Sequence, residues 1–98
     1  MLREIIQRQK DWSLATFGEG KRTEGLCRHI ESELQEIRVA PDDLMEWIDV
    51  IILALDGAWR SGHSPVEIIN ALIQKQAVNF NRKFRMTAED EPSFHEKK

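Results

Sequence analysis

Two pairs of acidic residues, separated by a short turn, are the side chains of this sequence best suited to chemistry. The pairs have the spacings Glu33-x-x-Glu36 and Glu46-x-x-Asp49, and Pro41 lies between them. Residues three apart share one face of an α-helix, and consecutive helices joined by a short turn usually fold back antiparallel. We therefore expect four carboxylates to converge on one small volume, where they repel one another unless a cation lies among them.

A divalent cation is the expected occupant of that volume. Mg²⁺ is a hard cation that takes oxygen ligands, commonly a few carboxylates together with substrate phosphates. Cys27 and His29 do not form a zinc signature, because neither recurs with a partner pair at the required spacing. We predict a Mg²⁺ site, which Mn²⁺ could also fill, with the ligands Glu33, Glu36, Glu46 and Asp49. Water activated there, with one carboxylate as base, would attack phosphorus.

Some of these acids also have a structural interpretation. Glu33 falls inside the apolar stripe of its helix, where a carboxylate is costly unless it is paired or binds a metal. An ion pair with an arginine or lysine would explain it equally well. Glu46 follows Asp43 at the spacing of a capping box. Asp49 and Asp56 lack such an explanation, because aspartate is a poor residue for the middle of a helix.

Three further side chains could bind phosphate or sugar. Lys75, Asn79 and Arg82 occur at i, i+4 and i+7 and therefore lie along one side of a helix. Lysine and arginine bind phosphate oxygens, and an asparagine amide can hydrogen-bond a sugar or a phosphate. The structural alternative is a solvated basic face near a helix C-terminus, where cations suit the helix dipole.

The spacing of apolar residues predicts an all-α helical bundle with one short and three longer helices. The predicted bounds are an end near Trp12 for the first helix, Thr23 to Val39 for the second, Pro41 to Arg60 for the third, and a start at Ser64 for the fourth. We assign residues 1–86 to the domain and the polar, aperiodic residues 87–98 to a C-terminal tail. The third helix is apolar around most of its girth, so we expect a homodimer or homotetramer to cover it.

Bulk composition narrows the class of protein. The chain has 98 residues and a net charge of −3, so it forms one modest domain and lacks the basic excess of a protein that binds duplex nucleic acid. Cys27 is the only cysteine, which excludes an intrachain disulfide and fits a reducing compartment. The N-terminal segment is too polar for a signal peptide, and the most apolar run, Trp47 to Leu55, carries Asp49. We expect a soluble, cytoplasmic protein that has neither a membrane nor a duplex as its partner.

Three segments carry a resemblance to a known family: HIESELQEI, DDLMEWIDVIILALDGAWRSGHSP and KQAVNFNRKF. The acidic core alone is moderately specific, whereas EWIDVIILALDGAWRSGHS followed by K-x-x-x-N-x-x-R is far more so. From about Trp12 to Phe84 the chain resembles the all-α nucleoside triphosphate pyrophosphohydrolases of the MazG-like superfamily. More narrowly, it looks like the small dATP/dGTP diphosphohydrolase branch of bacteria and their phages.

The resemblance implies hydrolysis between the α and β phosphates with Mg²⁺, giving a nucleoside monophosphate and pyrophosphate. It implies that the four acids hold the metal and that a glutamate, Glu36 or Glu33, helps to activate water. Many members have two consecutive glutamates where Ser32 precedes Glu33 here, which leaves the ligand count open. Family members form dimers or tetramers, with the site completed across subunits. The substrate-binding residues implied are Lys75, Asn79, Arg82 and, as lesser candidates, Asp56 and His29.

Two other functions stay open at this point. A non-catalytic helical oligomer, acting as a partner-binding or regulatory module, would pair its acids with Arg22, Arg28, Arg38 or Arg60. A di-iron carboxylate bundle is disfavoured, because the Glu-x-x-His pattern of that class is missing. The sequence does not indicate the preferred base; the rings that could stack on a purine are Trp12, Phe17, Trp47 and Trp59.

Overall fold

The structure is a computed structural model that describes residues 1–81, and it contains four α-helices in that range. Their bounds are α1 Leu2–Phe17, α2 Thr23–Val39, α3 Leu44–Arg60 and α4 Pro65–Phe80. No β-strand occurs in residues 1–81, so the all-α prediction is confirmed. None of these helices is long and apolar enough to cross a lipid bilayer.

The first helix is longer than its apolar spacing indicates. It continues past Trp12 to Phe17 and has 16 residues, as many as α4, so the prediction of one short helix is wrong. The sequence holds no helix breaker before Gly18, whose φ of 84° is a conformation that glycine adopts without strain. The helix therefore ends at the first glycine rather than at the end of the apolar pattern.

Helices α2 and α3 form the most extensive helix pair among the described residues. A Cβ added at Gly57, near the end of α3, would lie 3.9 Å from Leu26 Cδ1, near the start of α2. The end of one helix therefore meets the start of the other, and the pair is antiparallel. Asp43 caps α3 by accepting a hydrogen bond from the backbone N–H of Met45. This cap fixes the turn that returns the chain along α2.

Helix α4 packs against α1 and α3 but makes no contact with α2. Its start has the capping box that the sequence indicates: Ser64 Oγ accepts from the Glu67 N–H, and the Glu67 carboxylate accepts from the Ser64 N–H. The residues predicted to continue its faces, Arg82 and Phe84, lie outside the described residues, as does the predicted tail over residues 87–98.

The core of the described chain is small. Its buried apolar side chains are Ile6, Leu26, Ile37 and Trp59. By contrast, Trp47 and Ile51 of α3 are 50% and 53% exposed, and large apolar residues of α1 and α4 are exposed too. Apolar surface on this scale marks regions that another surface covers. It fits the expectation of a homo-oligomer, which stays a prediction.

Candidate metal centre

The antiparallel pair α2–α3 brings the four predicted acidic side chains together. Glu33 and Glu36 come from α2, and Glu46 and Asp49 come from α3. One carboxylate oxygen from each lies within 4.8 Å of those from the other three. This convergence follows from two i, i+3 pairs on the facing sides of two helices that share a short turn.

Two carboxylates of this acidic cluster each have one oxygen that is withdrawn from water and lacks a hydrogen-bond partner. Glu33 is only 8% exposed and Glu46 is half-buried, whereas Glu36 and Asp49 are exposed. Atoms Glu33 Oε2 and Glu46 Oε2 are buried and have no hydrogen-bond partner among the described residues. A buried carboxylate oxygen without a partner is costly, so native proteins rarely keep one unless a cation or water satisfies it.

The structural explanations for these acids do not account for them. Glu46 takes no part in the helix cap, because Asp43 caps α3 through Met45 alone. No arginine or lysine within residues 1–81 forms an ion pair with any of the four acids. Glu33 has His29 beside it, with Nε2 3.2 Å from Oε1.

Three of the four arginines that a non-catalytic helical module would use for this purpose have other partners, and the fourth, Arg38, forms no ion pair within residues 1–81. Arg28 pairs with Glu24, and Arg60 pairs with Asp56. The guanidinium of Arg22 lies over the ring of Phe17, 4.6 Å from its centroid. The acidic cluster therefore keeps its negative charge within the described part of the chain.

Mutual repulsion and burial raise the pKa of two members of the cluster. The pKa of Glu33 is raised chiefly by a hydrogen bond with the Glu36 side chain, then by burial and by the charges of Glu36 and Asp49. The nearby His29 opposes this rise in pKa. The pKa of Glu46 is raised first by burial and then by its hydrogen bond with Glu36 and the surrounding negative charges. Glu33 and Glu46 are thus harder to ionise in the absence of a cation.

The spacing of the oxygens fits a small divalent cation. Mg²⁺–oxygen distances of about 2.1 Å place opposite ligands of an octahedral ion about 4.2 Å apart. The observed limit of 4.8 Å is slightly wider, so small side-chain movements would bring the oxygens into range. All four donors are carboxylates, the ligand type that Mg²⁺ and Mn²⁺ prefer over nitrogen and sulfur.

A cavity of about 350 Å³ adjoins the acidic cluster between α1, α2 and α3. Glu33 and Asp49 belong to both the cluster and the cavity lining. Trp12 and Phe17 form one wall, where their rings meet edge to face with centroids 5.7 Å apart. The other lining residues are Gln9, Arg22, Gly25, Leu26, His29, Ile52, Leu53 and Asp56. This substrate-sized cavity is partly apolar and opens beside the carboxylates.

The remaining predicted substrate residues divide into two groups. His29 and Asp56 line the cavity, although the two Asp56 oxygens are already engaged by Ser13 and Arg60. Lys75 and Asn79 do not line it, because α4 makes no contact with α2. Arg82 lies outside the described residues.

Two of the four candidate rings lie away from the cavity. Trp59 is buried in the core, and the Trp47 indole donates to the Pro41 carbonyl oxygen over 2.9 Å. The sequence does not indicate that Gln9 and Arg22 line the cavity. Their place there depends on how α1 packs, and no local pattern predicts that packing.

Neutralising one carboxylate should stabilise the metal-free protein. A raised folded-state pKa gives stability that is present below the unfolded pKa and is lost as pH rises through the folded value. In EDTA, the melting midpoint of the wild type should therefore fall as pH rises from 4.5 to neutrality. Glu46→Gln should melt higher than the wild type at pH 7 and show a weaker pH dependence, as followed by circular dichroism.

The matched control for this prediction is Glu31→Gln, which removes an exposed carboxylate from α2 outside the cluster. Its midpoint should track the wild type, and Mg²⁺ should raise the midpoint of both proteins more than that of Glu46→Gln. A Glu46→Gln midpoint equal to or below that of the wild type at pH 7 in EDTA would contradict repulsion within the cluster.

Comparison with known proteins identifies the family of this chain. A family model described as dATP/dGTP pyrophosphohydrolase matches residues 5–98, nearly the whole chain, and confirms the resemblance read from the three sequence segments. Comparisons with curated proteins and with solved structures give no match. The chain therefore belongs to the dATP/dGTP pyrophosphohydrolase family, a family of nucleoside triphosphate pyrophosphohydrolases.

Proposed function

We propose that this chain hydrolyses dATP or dGTP to the nucleoside monophosphate and pyrophosphate, using Mg²⁺ or Mn²⁺ held by the acidic cluster. The observation that carries the proposal is the convergence of four carboxylates, two of them with buried and unpartnered oxygens, beside a substrate-sized cavity. The family assignment supplies the substrate class. The acidic cluster supplies a reason for metal dependence.

The four carboxylates would divide the work of holding the metal. Glu33 and Glu46 present buried oxygens, so they would bind from the inner side of the cluster. Glu36 and Asp49 are exposed, and Asp49, which lines the cavity, would bind from the side that substrate approaches. A bound divalent cation would neutralise phosphate charge and make water a better nucleophile near neutral pH. Without it, four negative side chains would repel a triphosphate.

Glu36 is our choice for the general base. Its side chain raises the pKa of both Glu33 and Glu46, so it lies close to both, between the two helices at the centre of the cluster. It is also exposed, so a proton taken from water could pass on to solvent. Glu33 is the alternative base, but it is buried and held beside His29, which suits a metal ligand better.

The adjoining cavity would receive the nucleoside part of the substrate. Its volume of about 350 Å³ lies in the range of small-molecule sites. The Trp12 and Phe17 rings offer apolar surface against which a purine could pack. His29 stands where the cavity meets the acidic cluster, within reach of the sugar or the first phosphate. Asp56 would form part of the cavity wall, held in place by its own partners.

A second copy of the chain would bring the predicted phosphate-binding side chains to the site. Lys75 and Asn79 lie on α4, which makes no contact with α2 in the same chain. The exposed apolar residues of that helix, Leu72 and Ile73, are 53% and 58% exposed and would be covered in a homodimer or homotetramer. In such an assembly, Lys75, Asn79 and Arg82 of one subunit would reach the triphosphate held by another.

Removing single cluster carboxylates tests the proposed function. Glu36→Gln and Asp49→Asn should each lower kcat for dATP or dGTP by about two orders of magnitude or more, because each removes a ligand or base. Pyrophosphate release with Mg²⁺, measured over a panel of nucleoside triphosphates, gives the readout. Glu31→Gln should keep wild-type activity.

Full activity in both cluster variants, or turnover by the wild type without any divalent cation, would contradict the assignment of the site.

Subunit complementation tests whether the site is shared between chains. Glu36→Gln and Lys75→Ala proteins should each be weakly active alone, because each lacks a different half of the site. When the two are unfolded together and refolded, mixed dimers should regain one intact site, giving roughly a quarter of the wild-type sites at random assortment. Mixing two separately refolded samples for a short time is the control. Activity no higher than that of the parents would contradict a shared site.

A further inference from the structure

Arg60, buried at the end of α3, has a partner for every N–H of its guanidinium group. Its Nε donates to Asp56 Oδ1. Its Nη1 donates to the carbonyl oxygens of Gly18 and Gly20, over 2.7 and 3.0 Å. Its Nη2 donates to Oγ and the carbonyl oxygen of Ser13, over 3.1 and 3.5 Å. Five donors on a rigid fork thus contact three separate segments of the chain.

Ser13 and Asp56 close this network. Ser13 is fully buried in α1, and its hydroxyl donates to the second oxygen of Asp56. The Asp56 carboxylate is therefore neutralised by Arg60 and held by hydrogen bonds on both oxygens. In consequence, α1 is attached to α3 through a saturated polar contact in which each member fixes the others.

The attachment of α1 to α3 matters for the cavity because of how the helices contact one another. Helices α1 and α2 make no contact with each other, although both line the cavity. The width of the cavity between them therefore depends on how each is attached to α3 and, for α1, also on its packing against α4. Helix α2 is attached by an extensive packed interface, whereas α1 has a smaller one. The Arg60 network supplies the polar part of the attachment of α1.

Arg60 also holds the turn that connects α1 and α2. A Cβ added at Gly18 or Gly20 would meet no atom within 4 Å, so both glycines face open space, and the Arg22 guanidinium over the Phe17 ring spans the turn. The last turn of α1 carries no basic residue that could satisfy its end. Phe17 and Arg22, on either side of the turn, both line the cavity. Arg60 binds the carbonyl groups between them and so holds that wall.

We propose that Arg60 is a positioning residue that, together with the packing of α1 on α4, fixes the α1 wall of the substrate cavity, and thereby sets the affinity for the nucleoside part of the substrate. This inference rests on the proposed function, because it takes the cavity as the nucleoside site. It separates two parts of substrate binding. The acidic cluster would hold the metal and the phosphates, and the wall fixed by Arg60 would hold the nucleoside.

Arg60→Lys is the sharpest test, because lysine keeps the charge but cannot reach Asp56 and the two glycine carbonyls at once. We expect KM for dATP or dGTP to rise about tenfold. The inhibition constant of inorganic triphosphate, which has no nucleoside, should stay unchanged. So should the affinity for Mn²⁺, measured by titration calorimetry. The control is Arg28→Lys, the same change in the exposed i, i+4 pair with Glu24, which should leave all three values unchanged.

A second variant keeps the test decisive if Arg60→Lys does not fold. Ser13→Ala removes one acceptor of Arg60 and one donor to Asp56 with little change in volume, and should raise KM severalfold in the same selective way. An unchanged KM in the folded variant, or a parallel rise in the inhibition constant of inorganic triphosphate, would overturn the inference alone. A wild type that turns over neither nucleotide with Mg²⁺ or Mn²⁺ would overturn the proposed function, and this inference with it.

Discussion

Repulsion among four carboxylates is the constraint on which the rest of this structure depends. Their oxygens lie within 4.8 Å of one another, and two of the four side chains are at least half-buried. The neighbouring charges raise the pKa of Glu33 and Glu46, and repulsion at this separation opposes close packing of the two helices. The packed interface of α2 and α3 keeps the carboxylates together in spite of this cost. Stability is thus given up at the point where a cation and a phosphate chain would bind.

Helix α3 also carries an acid whose charge is neutralised within the fold. Asp49 and Asp56 are two helical turns apart on α3, and both line the cavity. Asp56 is buried with Arg60 and Ser13 as partners, so its negative charge is used within the fold. Asp49 belongs to a cluster that has no arginine or lysine partner within residues 1–81. The contrast separates a carboxylate that holds the fold together from carboxylates left free for a ligand.

Local sequence signals were enough to predict the part of the fold that carries the cluster. Helix α2 has the predicted bounds, whereas α3 ends at Arg60 as predicted but begins at Leu44, after the cap at Asp43, rather than at Pro41; the short turn between the two helices makes them antiparallel. The convergence of the four acids follows from this geometry and needs no long-range information. The extension of α1 to Phe17 was not predicted, because the apolar pattern fades before the residue that ends the helix.

What could not be predicted depends on contacts between residues far apart in sequence. The bonds of Arg60 to Ser13, Gly18 and Gly20 span 40 to 47 residues, and no local spacing indicates them. Lys75 and Asn79 share a helix face that suits phosphate, yet the packing of α4 keeps them from the acidic cluster of the same chain. Helical spacing predicts which side chains share a face, but it does not predict whether that face meets the acidic cluster of the same chain or of another copy.

A crystal structure with Mn²⁺ and a non-hydrolysable dATP analogue, recorded at the manganese absorption edge, would show directly whether the four carboxylates bind a metal beside the nucleotide. We expect anomalous density among Glu33, Glu36, Glu46 and Asp49, where the metal contacts the phosphates. The base should lie in the adjoining cavity. Manganese elsewhere, with these carboxylates turned apart into solvent or paired with arginines, would contradict this expectation.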